Sequence, residues 1–233
     1  MNKPYYRQIA ESEYRKAHSN GRQLLRFSKE PLPWLTEFVN SQYFVPKCEV
    51  IDFACGEGIN AVYLAQQGCR VTGIDIAEEA VRKAEELARE AGQNIRFLVG
   101  DMIRCPQIPD GSFDLALACA CFGRLIEDEL RISFLKETYR VLRRGGYLFF
   151  NNGILFKEIE LSFPDIYEKL KSRDGFNEWI EEERRGQYAP PSQRYETRDG
   201  YERKLQTVGY RIVHSHLDVS EQAWGIVMWA RRP

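Results

Sequence analysis

The chain contains no apolar run approaching the roughly eighteen residues that a bilayer-spanning helix needs. Its opening stretch, Met1-Asn2-Lys3-Pro4-Tyr5-Tyr6-Arg7-Gln8, lacks the apolar core of a secretory signal. Neither sign of charge is in excess: 33 Lys and Arg stand against 34 Asp and Glu, a net charge of −1. That balance argues against binding nucleic acid by general phosphate neutralisation. Cysteine is sparse, six in 233 residues, and forms no Cys-x-x-Cys pair. Reduced thiols in a cytoplasmic protein are the simplest reading, and no metal centre is expected. There are only three histidines, His18, His214 and His216, and no internal repeat or low-complexity tract. What remains is ordinary globular composition, 43% hydrophobic and 29% charged, which excludes a disordered or collagen-like chain.

The middle of the chain alternates short apolar runs with helical patterns. Val50–Ala54 reads as a buried strand ending at Gly56, and Ile59–Gln67 as a helix stopped by Gly68. Cys69–Ile76 is a second strand. Ala77–Ala91 carries apolar residues at 80, 81, 84, 87, 88 and 91, the stripe of an amphipathic helix, closed by Gly92. Ile95–Val99, Phe113–Cys119 and Tyr147–Asn151 are the third, fourth and fifth strands, with a helix over Glu127–Leu142 ended by Gly145-Gly146. Such alternation predicts a mainly parallel sheet covered by helices on both faces, with ligands bound beyond the carboxyl ends of the strands. Arg198–Val208 reads as a helix. Tyr210–Leu217 and Trp224–Ala230 are strands joined too tightly for a crossover, hence antiparallel.

The expected organisation is one domain over residues 1–233. Residues 1–47, with eight basic and four acidic side chains, form an N-terminal helical cap. Residues 153–195, which carry Phe156, Phe163, Tyr167, Phe176, Trp179 and Tyr188, form a lid insertion after the fifth strand.

The chemistry-bearing residues sit at strand ends. Asp52-Phe53-Ala54-Cys55-Gly56-Glu57-Gly58 is a strand followed by a glycine-rich turn, which lets a ligand approach backbone N–H groups. Alone, the two glycines are equally at home in a tight strand–helix turn without a ligand. The second strand ends in Asp75, a carboxylate able to accept hydrogen bonds from ribose hydroxyls, and the third leads into Asp101, an acceptor for an adenine amino group. Two acidic residues in register at successive strand ends are harder to assign to turn chemistry alone.

With these residues the sequence resembles the class I S-adenosylmethionine-dependent methyltransferases of small-molecule type, over roughly residues 48–152. Asp52-x-Ala54-Cys55-Gly56-x-Gly58 is similar to the family's first motif, Asp75 and Asp101 to its ribose and adenine positions, Phe113-Asp114-Leu115 to its fourth strand, and Arg140–Gly146 to the approach to the fifth. Asn60 stands where many members have a third glycine. The resemblance implies a Rossmann-like seven-stranded α/β sheet with a C-terminal antiparallel hairpin. It also implies S-adenosylmethionine as cofactor, held by Asp52, Ala54, Cys55, Gly56, Gly58, Asp75, Ile76, Asp101, Met102 and Cys119.

The acceptor is expected to be a small molecule. Cys119-Ala120-Cys121-Phe122 replaces the Asn/Asp-Pro-Pro-aromatic element of nucleic-acid amino-methyltransferases. Tyr6, Tyr14, Arg22 and Phe122 are candidate substrate contacts, and His18 is the candidate general base, against the commoner role of an exposed helix histidine. Cys119 and Cys121 share one side of a strand end and can either hold a thiophilic metalloid or form a small apolar lining, the latter favoured. No nucleic-acid or membrane partner is expected, and the protein is read as a monomer or homodimer. The alternatives are an NAD(P)-dependent oxidoreductase, which has no need of Asp101 or Gly145-Gly146, and a non-catalytic S-adenosylmethionine-binding subunit.

Overall fold

The computed structural model describes residues 5–19, 31–171, 194–219 and 224–233. A seven-stranded sheet has the order β3-β2-β1-β4-β5-β7-β6. Its strands are β1 (Glu49–Phe53), β2 (Arg70–Asp75), β3 (Arg96–Val99), β4 (Phe113–Cys119), β5 (Leu142–Asn152), β6 (Arg211–Val219) and β7 (Trp224–Arg231). The first five run parallel, and β7 is antiparallel to both β5 and β6. This is the Rossmann-like architecture with a C-terminal antiparallel hairpin. The order reverses between β1 and β4, the switch point at which open α/β sheets bind ligands.

The helices are α1 (Tyr5–Ser19), α2 (Pro33–Val39), α3 (Ile59–Gln66), α4 (Glu78–Glu90), α5 (Asp128–Val141), α6 (Phe156–Ser162), α7 (Pro164–Lys171) and α8 (Arg198–Val208). Side-chain alternation along a strand sends neighbours to opposite faces. In β4, Ala116 and Ala118 join the core beneath α5 and α8, with Phe134, Leu135, Tyr201 and Leu205. Leu115 and Leu117 join the other core, with Leu35 and Phe38 of α2 and Ala61 and Leu64 of α3. Burial on both faces explains why these strands read as nearly continuous apolar runs.

The largest departure from the expected boundaries is at the start of β5. The helix before β5 stops at Val141, and Gly145-Gly146 lies inside the strand rather than ending the helix. The cause is long-range pairing. Leu142 lies opposite Phe113, Gly145 N–H donates to the Arg232 carbonyl, and Arg232 N–H donates to that of Gly146. A register shift separates the Phe113 and Leu115 pairings, and Gly145 takes the left-handed φ of +84°.

Candidate active site

A cavity opens at the carboxyl ends of β1, β2 and β4, where the parallel topology places it. Its floor is the turn after β1. Ala54 leaves the strand with φ +52°, a conformation rare for a residue with a Cβ, and Ala120 does the same after the neighbouring β4 with φ +53°. Both line the cavity. Gly56 follows with φ +56°, and a Cβ there would lie 2.8 Å from the Tyr14 hydroxyl, so a side chain at this position would be driven into the roof. Gly58 serves a different purpose. It caps α3 with φ +84°, and a Cβ there would meet the Ala84 Cβ at 2.8 Å. It permits close approach of α4 and does not itself line the cavity.

Three aspartates enter the cavity. Asp75, 5% exposed, accepts from Gly56 N–H (Oδ2, 2.9 Å) and Ala77 N–H (Oδ1, 2.9 Å), which ties the end of β2 to the glycine turn. Burial pushes its pKa up, and the backbone donors partly oppose that shift. Asp101 accepts from Ile103 N–H at 3.0 Å and from the Tyr6 hydroxyl at 2.8 Å. Asp52, 2% exposed, has no hydrogen-bond partner for Oδ2 among the described residues. Desolvation first, then the charge of Asp75, raises its pKa to about 8.

The roof is α1. Tyr6, Ile9, Ala10, Glu13 and Tyr14 line the cavity, at the i, i+3, i+4, i+7, i+8 spacing of one helix face. Three pins hold it down. The Tyr6 hydroxyl donates to Asp101. The Tyr5 hydroxyl accepts from Ile126 N–H at 2.6 Å and donates to the Arg124 carbonyl at 3.0 Å. Glu13 receives the Arg124 guanidinium in two bonds of 2.9 and 2.8 Å. Burial raises the Tyr5 hydroxyl pKa to about 12 and carries that of Tyr14 well above its ordinary value.

On the β4 side, Cys119, Ala120, Cys121 and Arg124 complete the wall. Burial first, then the charge of Asp52, pushes both thiols up. They are neutral small groups rather than thiolates, and no metal-binding cluster of His, Cys, Asp or Glu occurs among the described residues.

The structure therefore brings Asp52, Ala54, Cys55, Gly56, Asp75, Ile76, Asp101, Met102, Cys119, Tyr6 and Tyr14 around one cavity. It places Phe122 elsewhere. That ring is 1% exposed and packs against Phe134, Phe150 and Tyr201, with the Arg131 guanidinium 4.5 Å from its centre. The chain turns at Ala120 and carries Phe122 under the sheet, into the core. Arg22 and residues 172–193 lie outside the described residues, as does the His18 side chain, although its backbone belongs to α1. His214 and His216 are far from this site on edge strand β6, with His214 Nε2 2.8 Å from His216 Nδ1. The sequence reading missed Ile9, Ala10, Glu13, Asn60 and Arg124. The helical stripe of α1 was a usable signal for the first three. Arg124 offered none, because its partner Glu13 is 111 residues away.

Residues 50–146 match the family model described as a methyltransferase domain. This region is similar in sequence to methyltransferase domains. The YqeM protein of Bacillus subtilis, which carries the name of a candidate methyltransferase, is 36% identical over 120 residues, covering 51% of this chain and 47% of its own length. A malonyl-[acyl-carrier protein] O-methyltransferase of Paenibacillus is 33% identical over 134 residues, 55% of this chain and 48% of that one. The chain thus spans about half the length of the curated relatives it matches. Among solved structures, 1,6-didemethyltoxoflavin-N1-methyltransferase of Burkholderia thailandensis, with bound 1,6-didemethyltoxoflavin and S-adenosylhomocysteine, superposes with a TM-score of 0.69. It is 18% identical and is matched over 100% of this chain and 93% of that one. At that identity the likeness is one of fold. The matched region holds β1 to β4 and the start of β5, and with them every floor residue of the cavity. The roof, α1, comes from outside it.

Proposed function

We propose that the protein is an S-adenosylmethionine-dependent methyltransferase acting on a small-molecule acceptor in the cytoplasm, as a monomer or homodimer and without nucleic acid. The observation that carries this reading is the convergence of Asp52, Asp75 and Asp101 on one cavity beside the glycine turn. The donor set fits the cofactor. Asp75 and Asp101 retain lone pairs for the ribose hydroxyls and the adenine amino group, and the orphaned Asp52 Oδ2 suits the methionyl ammonium. When bound, this cofactor supplies a methyl group on a sulfonium, which is transferred by in-line displacement.

The chain's own residues then have to align the two reactants and exclude water. Residues 1–47 are the cap, with α1 roofing the site through Tyr6, Glu13 and Tyr14. Insertion 153–195 is assigned as the lid. Its return is anchored beside the cavity, where Arg194 N–H donates to the Gly123 carbonyl at 2.7 Å and the Tyr195 ring leaves no room for a Cβ at Gly153. Cys119 and Cys121 act as apolar lining. His18 and Arg22 are assigned to the acceptor side as base and anion contact.

The test is a binding and transfer series on the purified chain. S-adenosylmethionine and S-adenosylhomocysteine should bind, and label should pass from the cofactor to one member of a panel of small amines, phenols, carboxylates and thiols. Tight nicotinamide-dinucleotide binding without S-adenosylmethionine binding would overturn the cofactor. Label transfer to RNA or DNA would overturn the acceptor class. Cofactor binding with no transfer to any class would favour the non-catalytic subunit.

A further inference from the structure

At the opposite ends of β1 and β2 from the cavity lie two thiols that the proposed reaction does not use. Cys48 immediately precedes β1 and Cys69 immediately precedes β2. Their sulfur atoms are 3.4 Å apart, and the two residues are 6% and 7% exposed. The surrounding backbone fixes this approach. Glu49 pairs with Arg70 in the parallel ladder, Arg70 N–H donates to the Cys48 carbonyl at 3.0 Å, and Cys69 N–H donates to the Leu64 carbonyl at 3.1 Å. The two cysteines are thus register neighbours on adjacent strands. The strand spacing of about 4.8 Å lies within the Cα separations that a disulfide spans. None of the other four cysteines has a sulfur–sulfur contact among the described residues: Cys105 donates to the Asp101 carbonyl at 3.0 Å, and Cys55, Cys119 and Cys121 line the cavity.

We propose that Cys48 and Cys69 are a reversible thiol–disulfide site, oxidised by a small peroxide or by a low-molecular-weight disulfide. The two sulfurs lie within hydrogen-bond distance, and either can donate. The hydrogen bond between the sulfurs raises the pKa of Cys48 and lowers that of Cys69, which makes Cys69 the nucleophile. With hydrogen peroxide, the Cys69 sulfur attacks one oxygen, the O–O bond breaks, and a sulfenic acid and one water result. The Cys48 sulfur then attacks the sulfenic sulfur. The S–O bond breaks, and a second water leaves with the Cys48 proton. Two thiols lose two electrons, and one peroxide becomes two waters. The bond would close a loop over β1, the glycine turn and α3, whose other end is the cavity floor.

The experiment uses the full folded chain. It is treated with hydrogen peroxide or, separately, with oxidised glutathione, then alkylated, digested and analysed by mass spectrometry. The expected result is a chain lighter by two hydrogens, with one cross-linked peptide joining Cys48 to Cys69 that dithiothreitol separates. Cys48→Ser should abolish the cross-link and leave a dimedone-trappable sulfenic acid at Cys69. The proposal is overturned if both thiols remain alkylatable at oxidant levels that modify the cavity cysteines. It is equally overturned if the cross-link forms only after the chain is unfolded in urea. The wild-type peptide decides the matter even if the Cys48→Ser chain fails to fold.

Discussion

Asp52 and Glu196 are both buried carboxylates, 2% and 9% exposed, held in two regions under opposite conditions. At the foot of the insertion, Glu196 is met by the fully buried Arg131 and by Lys204 at 3.0 Å, with Arg194 at 3.6 Å. Arg131 also donates to the carbonyls of Leu125 and Arg194. This network ties the N-terminal part of α5 to the residues entering α8, and every bond in it is internal. At the cavity floor, Asp52 faces another carboxylate, Asp75, and leaves Oδ2 without a hydrogen bond among the described residues. A buried polar atom left without a hydrogen bond costs stability, so a fold keeps one where it does something else. The paired carboxylate belongs to the scaffold. The unpaired one belongs to the site.

The largest expected effect breaks the scaffold half of that comparison. Arg131→Ala should destabilise the chain by about 3–5 kcal/mol, the usual result of removing one member of a buried ion pair, read from the denaturant midpoint. Its effect on cofactor affinity in the remaining folded fraction should be small. A shift in affinity with little change in midpoint would place Arg131 in the site instead.

Next comes Asp75→Ala, which removes the acceptor for Gly56 N–H and Ala77 N–H and, under the proposed function, for the ribose hydroxyls. Cofactor binding should weaken by roughly 1–3 kcal/mol, the cost of leaving such partners unpaired, as measured by calorimetry. Tyr6→Phe is the smallest change. It frees Asp101 Oδ2 of its 2.8 Å hydroxyl and should alter cofactor affinity by about 0.5–1.5 kcal/mol. It should also expose α1 to protease in the free protein, the observation that sharpens the role of the cap.

How much of this was legible in the sequence follows from the range of each interaction. The glycine turn, Asp75 and Asp101 are local features, each readable within a strand and its following turn. The stripe of Tyr6, Ile9, Ala10, Glu13 and Tyr14 was also local, but a period shows only that a helix has a special face, not what the face covers. The early start of β5 was hidden because Gly145-Gly146 imitates a helix stop, and the pairing that overrides it comes from Arg232 at the chain's end. Glu13–Arg124 and Arg131–Glu196 join residues 111 and 65 apart. Phe122 was expected at the substrate because it follows β4. The turn at Ala120 and the cluster around Tyr201 decide otherwise.

The contrast between the two carboxylates also has a pH signature. In the free protein the Asp52 pKa is about 8, against an ordinary 3.8. The folded state therefore binds a proton that the unfolded state has released over the window between those values. Stability must then fall as pH rises through it, by at most about 1.4 kcal/mol per pH unit. A cationic group brought against Asp52 reverses the shift and expels that proton.

Calorimetric titration of the free protein with S-adenosylmethionine at about pH 6, in two buffers of different ionisation enthalpy, therefore tests the central claim most directly, since the buffer dependence counts protons exchanged. The account predicts binding with release of close to one proton from the wild-type chain, and binding without release from Asp52→Asn. Absence of binding, or binding that releases the same protons from both chains, would contradict it.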